Sequence, residues 1–158
     1  MTHHLRRQDR EVTDPERVLG LLREGRFCSI ALYDGAPYVL TMSYGHDREN
    51  RRLYFHCAAE GRKIDAIAHD PRACATVVSD RGYKHGECAH PYESVVLHGT
   101  MRVVEDPAEK SHGLRVLVEH LESGPDAFAS MGLDDDARVA SVTVLSFDID
   151  AIAAKEGE

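Results

Sequence analysis

Short apolar runs separated by turn residues recur along the chain, and they predict strands more often than helices. The runs are rich in aromatic and β-branched residues, and the longest predicts one long strand with a bulge at Gly99. Asp34-Gly35 separates the first two runs and is a strong hairpin signal. The polar stretch 45–51 predicts a second turn, so the first three strands are expected to form an antiparallel meander. The predicted strands cover residues 27–33, 37–44, 53–57, 73–78, 92–104 and 139–149.

Three stretches between these runs carry apolar residues at helical spacing. The first begins at Thr13-Asp-Pro-Glu16, which offers a Thr or Asp cap, an early Pro and a Glu three residues after Thr as in a capping box, and it ends at Gly25. The second spans Glu60 to about His69. The third runs from Asp106-Pro107 to about Leu121, and a short helix is expected near Phe128. Strands that are mostly neighbours in sequence, decorated by helices, predict a mainly β (α+β) fold built on a six-stranded antiparallel barrel.

The length of 158 residues suits one domain, and we predict a single domain over residues 1–158 in which residues 1–12 form an extended N-terminal arm. The net charge of −8 disfavours nucleic acid and anionic membrane surfaces as partners. No apolar run approaches the ~20 residues of a membrane span, and the start of the chain lacks the apolar core of a signal peptide. Four cysteines without CxxC spacing indicate a reduced, cytoplasmic protein.

A metal site is the first chemistry that the ten histidines suggest. The best local cluster is Cys88-Ala-His90 with His85 nearby, because thiolate and imidazole both suit zinc. No second cluster supplies the four ligands of a structural zinc site, so no metal is expected. The patterns GxSxG, GxGxxG and GxxxxGKS/T are absent, so the sequence indicates neither a serine hydrolase nor a Rossmann or P-loop nucleotide site.

Two cations occupy the first turn of the predicted helix over residues 60–69. Arg62 and Lys63 stand there directly after the apolar strand 53–57, and cations at a helix start oppose the helix macrodipole. A bound anion would resolve the conflict, since it would meet free backbone N–H groups and both side chains. The alternative is that both residues are ordinary surface cations, neutralised by Glu60 and Asp65.

The polar residues next to this turn also have two interpretations each. His56 ends the strand before the basic turn and is either a packed, hydrogen-bonded histidine or a group of the anion site. Thr41 and Ser43 lie on the strand that the meander would pair with residues 53–57. Their hydroxyl groups would either reach a ligand over that strand pair or face solvent.

Several segments carry a family resemblance through their order and spacing. They are Arg6-Arg-Gln-Asp-Arg-Glu-Val-Thr-Asp14, Tyr38-Val-Leu-Thr-Met-Ser-Tyr44, Leu53-Tyr-Phe-His-Cys57, Glu60-Gly-Arg-Lys-Ile-Asp65, Asp70-Pro-Arg-Ala-Cys74 and Cys88-Ala-His-Pro-Tyr-Glu-Ser-Val-Val-Leu-His-Gly99. Over most of residues 5–150 the chain resembles the pyridoxamine-5′-phosphate-oxidase-like superfamily, and within it the nitroimidazole-resistance (NimA-type) flavoproteins. The resemblance implies a split Greek-key β-barrel and a homodimer that holds FMN in a groove at each of two interface sites.

The resemblance also implies which residues contact the flavin. The phosphate would be held by Arg62 and Lys63. The edge of the isoalloxazine would be lined by the backbone of Val39, Leu40 and Thr41. Phe55 and His56 would lie beside the ring and the ribityl chain. Ser94, on a later strand, would make a polar contact with the flavin.

The chain departs from the oxidase itself at two places. Residues 148–158 are acidic and the chain has no Trp, whereas the oxidase has basic and aromatic substrate-binding residues near its end, so pyridoxamine phosphate is not the expected substrate. Glu93 stands where many NimA-type members have a basic residue, which changes what can approach the flavin.

Three functional hypotheses follow. The first is an FMN-dependent oxidoreductase acting on a small organic or nitro-aromatic substrate, with His56 as proton donor or substrate contact. The second is a carrier or sensor that binds a flavin, haem or the cofactor F420 without turnover. The third is a barrel that has lost its ligand, against which the presence of both Arg62 and Lys63 argues.

Overall fold

The computed structural model describes residues 7–157 and contains seven strands and five α-helices within that range. The helices are α1 (Pro15–Glu24), α2 (Arg62–His69), α3 (Pro107–Leu121), α4 (Ala127–Ser130) and α5 (Asp136–Ser141). The strands are β1 (Phe27–Tyr33), β2 (Pro37–Ser43), β3 (Gly45–Asp47), β4 (Arg52–Cys57), β5 (Arg72–Asp80), β6 (Tyr92–Val103) and β7 (Thr143–Gly157). The predicted mainly β class is confirmed.

All seven strands form one curled antiparallel sheet in the order β2-β1-β5-β6-β7-β4-β3. The prediction of six strands missed β3, a short strand within the polar stretch 45–51. The β1–β2 hairpin around Asp34-Gly35 is confirmed, with Tyr33 paired to Pro37. The shift of register between His98 and Gly99 confirms the predicted bulge, where a Cβ on Gly99 would lie 1.9 Å from the carbonyl oxygen of Asp148.

The predicted three-stranded meander is wrong. In the described sheet β2 pairs with β1 alone, while β4 pairs with β7 on one edge and with β3 on the other. Tyr44 causes the break, because its buried ring lies in the core and its hydroxyl donates a 2.7 Å hydrogen bond to the carbonyl of Leu22. Gly45 then lets α3 approach, since a Cβ there would lie 2.5 Å from the Cα of Leu117.

Both ends of the described chain differ from the predictions. The last strand begins at Thr143, after α5, and continues to Gly157, although residues 148–158 are acidic. Arg17 of α1 offsets that charge by pairing with Glu93 and Glu156, at 2.5 and 2.7 Å. The predicted N-terminal arm contains a short 3-10 helix, Gln8–Arg10, and residue 11 pairs with residue 155 of β7. Residues 1–6 of the arm lie outside the described range.

The sheet carries a separate hydrophobic core on each face of β4. Leu53 and Phe55 point into the larger core, which α1 and α2 close. Tyr54 points the other way, into a smaller core formed with α3, α4 and α5. Because side chains alternate along a strand, His56 lies on the same face as Tyr54 and is directed toward these three helices. The confirmed short helix around Phe128, α4, belongs to this second core.

Candidate functional site

The start of α2 is the most unusual helix terminus in the described structure. Its N-cap is Gly61, which has φ of 120° and offers no side-chain acceptor. The backbone N–H groups of Ile64 and Asp65 donate to the carbonyl of Gly61 at 2.8 and 3.3 Å, which is the internal bonding of the first turn. The N–H groups of Arg62 and Lys63 precede these bonds and point out of the helix end, so the terminus is open to an anion.

Arg62 forms an ion pair with Asp34, a residue that the sequence indicated only as part of a turn. Its guanidinium donates to both carboxylate oxygens of Asp34, at 2.6 and 3.1 Å, and lies 4.3 Å from the centre of the Tyr38 ring. The hydrogen bonds from Arg62 lower the pKa of the Asp34 carboxyl below its usual value. The pair ties the β1–β2 turn to the start of α2 and fixes the direction of the guanidinium.

Lys63 differs from Arg62, because no ion pair or hydrogen bond holds its ammonium group among residues 7–157. The side chain is half-buried and lies near the thiol of Cys57. Burial raises the pKa of that thiol, and the positive charge of Lys63 acts in the opposite direction. An unpaired, half-buried cation beside an uncapped helix start is the strongest electrostatic signal for an anion at this place.

Strands β2 and β4 both come close to this terminus, since Tyr38 of β2 lies against Arg62 and Cys57 of β4 lies near Lys63. The space between the two strands is called the gap below. The ladder between β3 and β4 ends at Gly45 and Tyr54. Two residues further along each chain segment Ser43 would pair with His56, and the described sheet does not contain that pairing. The facing edges of β2 and of the second half of β4 therefore have backbone groups without a strand partner in the described sheet. Val39 and Thr41 stand exposed on the outer face of β2, and Thr41 shares a 3.1 Å hydrogen bond with Ser29.

The remaining predicted site residues fall in different surroundings. Leu40 is half-buried against the large core, and the Phe55 side chain is fully buried in it. His56 is exposed, lies beside the gap and lines a cavity formed with α3–α5. The Ser94 hydroxyl is buried and has no hydrogen-bond partner in the described structure.

Ser94 lies far from α2 in the same chain. Strand pairing aligns Ser94 with Val78, Phe27 and Ser43 across the sheet. Phe27 is six residues along β1 from Tyr33, which lies at the end of the sheet beside Arg62. At ~3.3 Å per residue that separation is about 20 Å. The structure thus places Arg62 against β2 and Lys63 near the end of β4, where His56 precedes Cys57, and it leaves Ser94 at the opposite end of the sheet.

The loop between β5 and β6 holds the residues that suggested a metal. His90 shares a 2.8 Å hydrogen bond with Asp80, and its ring and that of His85 pack edge-on against Tyr83. Among the described residues no three His, Cys, Asp or Glu side chains gather around a common centre. In the same range no helix is long and apolar enough to cross a membrane.

The sequence of residues 14–156 matches the family model for pyridoxamine 5′-phosphate oxidase. The chain belongs to this family. The match includes the open start of α2, both strands beside the gap and all of β7 except its last residue. Among curated proteins, none matched the chain.

Solved structures of three relatives share the fold of this family member. A candidate 5-nitroimidazole antibiotic resistance protein from Bacteroides thetaiotaomicron has a TM-score of 0.78 and 24% identity, with 99% of this chain and 96% of that chain covered. The flavocytochrome Anf3 from Azotobacter vinelandii has a TM-score of 0.78 and 23% identity, with coverage of 98% and 72%. The FAD and haem binding protein from Mycobacterium smegmatis has a TM-score of 0.76 and 23% identity, with coverage of 94% and 74%.

Proposed function

We propose that this chain is an FMN-binding flavoprotein that holds the FMN phosphate at the start of α2. The observation that carries the proposal is the unpaired ammonium of Lys63 beside an uncapped helix end. Phosphate at this position would accept hydrogen bonds from free backbone N–H groups and from charged side chains, which together offset the loss of its hydration.

The surroundings of Gly61 are compatible with a phosphate. A Cβ built on Gly61 would meet nothing within 4 Å, so the helix end is not closed by other parts of the chain. A conflicting feature is Asp34, whose carboxylate holds Arg62 and would repel a dianion. We propose that Lys63 is the main phosphate ligand, and that Arg62 shares its planar guanidinium between Asp34 and the phosphate.

The gap between β2 and β4 fits the remainder of the cofactor. Backbone groups of Val39, Leu40 and Thr41 lie on a free strand edge that can hydrogen-bond the polar rim of an isoalloxazine ring. Because the Phe55 side chain is buried in the core, we propose that its backbone, and not its ring, borders the flavin. His56 lies on the outer face beside the gap and is the ionisable side chain that we place nearest to the ring.

The proposed reaction is the reduction of a small organic or nitro-aromatic substrate. FMN bound here would supply the electron transfer through its N5 position, while the chain orients ring and substrate and limits access of water. His56 would contact the substrate or deliver a proton to it. The names of three proteins with this fold are consistent with redox chemistry or cofactor binding. They are a nitroimidazole resistance candidate, a flavocytochrome and an FAD and haem binding protein.

A homodimer completes the proposed site. The outer face of β1, β2 and β5 is uncovered and carries Phe27, Val39 and Val78, which are 63%, 65% and 58% exposed. Apolar side chains this exposed on one sheet face are typical of a surface that a partner covers. Since Ser94 lies about 20 Å along the strands from α2 in its own chain, we propose that it contacts the flavin bound by the other copy.

The alternative function is a carrier or sensor that binds flavin, haem or F420 without turnover. The absence of an orienting partner for His56 favours it, because in the described structure no carboxylate or carbonyl holds the imidazole as acid–base catalysts usually require. Reoxidation of the reduced protein by a nitro-aromatic substrate distinguishes the two functions. In an oxidoreductase, the reduced bound flavin is reoxidised by the substrate faster than free reduced FMN at equal concentration. In a carrier it is not.

The decisive first experiment is a visible absorption spectrum of purified protein before and after FMN addition and desalting, with the oligomeric state measured in parallel. We expect a retained flavin band at a stoichiometry near one per chain in a dimeric protein. A folded dimer that retains no flavin would overturn the FMN assignment, and titration with haem and F420 would then identify the ligand of the α2 start.

A further inference from the structure

We infer that the cavity between β4 and helices α3–α5 is a binding pocket for a single-ring aromatic compound with one negatively charged substituent. The inference deepens the proposed function and rests on it, because it names the substrate class that would approach the flavin. The cavity lies on the face of β4 opposite the large core and is separate from the gap that would hold the flavin. His56 borders both spaces.

The walls of the cavity are apolar and adaptable. Leu117 and Leu121 of α3 form one side, Met131 after α4 forms another, and Val142 before β7 closes the third. Met131 is 37% exposed, so its side chain is accessible to a ligand that enters the cavity. An unbranched thioether beside leucines is suited to contact the face or edge of an aromatic ring.

The size of the cavity limits its occupant. Its volume is about 280 Å³. An apolar cavity of ~150 Å³ accommodates benzene, so this space holds one ring with its substituents. It lies at the lower end of the sizes typical of ligand sites, ~300–1,000 Å³, which favours a single ring over the isoalloxazine ring system or haem.

The polar groups at the mouth determine the charge of the occupant. Arg138 of α5 lines the cavity, and its guanidinium has no hydrogen-bond or ion-pair partner in the part of the chain that the structure describes. Its stem passes close to Gly132, where an added Cβ would lie 3.3 Å from the Arg138 Cδ. Glu122 also stands at the mouth and would repel a second negative charge. One carboxylate facing Arg138, with the ring inside, satisfies this arrangement.

The position of His56 connects the cavity to the flavin site. A ring bound between Leu117 and Met131 would have one edge at the imidazole, and the imidazole borders the β2–β4 gap. The helices α3–α5 would therefore select the substrate, while α2 and the gap would hold the cofactor. Residues 122–142 are not needed to complete the sheet, and this division gives them a role in binding the substrate.

The test is the affinity for 4-nitrobenzoate, measured calorimetrically for protein without flavin and for protein loaded with FMN. We expect micromolar to millimolar binding by the wild type in both forms, and binding about tenfold weaker in Arg138→Gln, the effect of losing one charged hydrogen bond at an exposed site. Affinity for neutral nitrobenzene should change less than twofold in this variant. Arg138→Lys should recover part of the loss.

Two further variants serve as controls. Arg115→Gln removes the same charge from the outside of α3, where the guanidinium lies over Phe128, and should bind 4-nitrobenzoate as the wild type does. Val142→Phe should fill the cavity and abolish binding of both compounds, with circular dichroism verifying the fold. Equal affinity of wild type and Arg138→Gln, or no binding by the wild type at millimolar ligand, would overturn the inference. Ring binding without flavin retention would refute only the FMN assignment, and flavin retention without ring binding only this one.

Discussion

Helices α2 and α3 both pack against the curled sheet, yet they begin in opposite ways. At the start of α3 the Asp106 carboxylate accepts a 2.7 Å hydrogen bond from the N–H of Glu109, and Pro107 occupies the first turn. At the other end of α3, Arg26 donates to the last carbonyl groups at 2.8 and 2.7 Å. At the start of α2 stand Gly61 and two cations, with no capping side chain.

The presence or absence of an N-terminal cap indicates that α3 serves to stabilise the fold and that α2 is suited to bind a ligand. An Asp cap contributes about 1 kcal/mol to stability, and cations in a first turn are unfavourable by a few tenths of a kcal/mol. The chain uses the favourable arrangement at α1 and α3 and omits it at α2. Burial of Ala66 and Ile67 keeps α2 in place without a cap. The open terminus is therefore available to a ligand that supplies the missing negative charge.

The largest expected effect concerns Lys63. We expect Lys63→Ala to raise the dissociation constant for FMN by ~30–150-fold, because loss of one charged contact to a buried phosphate costs about 2–3 kcal/mol. Titration of FMN fluorescence measures this change. Lys84→Ala, in the exposed loop between β5 and β6, is the control and should bind FMN normally. An unaltered FMN affinity in Lys63→Ala would remove α2 from the binding site.

A smaller effect is expected at the closed helix. We expect Asp106→Ala to lower the free energy of unfolding by about 1 kcal/mol through loss of the cap, measured by urea denaturation. Asp126→Ala is matched to it, because Asp126 precedes α4 without making a capping hydrogen bond, and it should stay within about 0.5 kcal/mol of the wild type. FMN affinity should be unchanged in both. If Asp106→Ala weakened FMN binding as well, the separation of the two helix types would fail.

The smallest expected effect on FMN affinity concerns Asp34, which holds Arg62 at the start of α2. We expect Asp34→Asn to strengthen FMN binding by ~2–5-fold, because removal of this carboxylate frees Arg62 and relieves a repulsion that solvent already screens. Asp70→Asn breaks a similar exposed pair with Arg72 at the other end of α2 and should leave FMN affinity as it was. Weaker binding in Asp34→Asn would instead mean that Asp34 orients Arg62 for the phosphate.

Local features of the chain were predictable from the sequence. The caps and prolines that start α1 and α3, the Asp34-Gly35 hairpin and the bulge at Gly99 depend on a few adjacent residues, and each is present. The two cations at the start of α2 were likewise visible, since their position relative to a strand and a helix is set locally.

Features that join distant segments were not predictable in the same way. The separation of β2 from β4 depends on Tyr44 reaching Leu22 and on Gly45 admitting α3, more than 70 residues further along the chain. Asp34 acts on Arg62 across 28 residues, so the sequence showed it only as a turn. His56 was assigned to the flavin site from its neighbours in sequence, and only the alternation along β4 and the placement of α3–α5 show its cavity.

The position of β7 has a consequence for how the protein is made. β7 lies between β6 and β4 and is the only described strand that joins the β2-β1-β5-β6 group to the β4-β3 pair. It leaves the ribosome after all the other strands, so until then β6 has an unpaired edge and β4 has no sheet to join. Such late, long-range closure is slow and exposes strand edges to other chains. We expect nascent chains of this protein to depend on chaperones until the last strand is inserted.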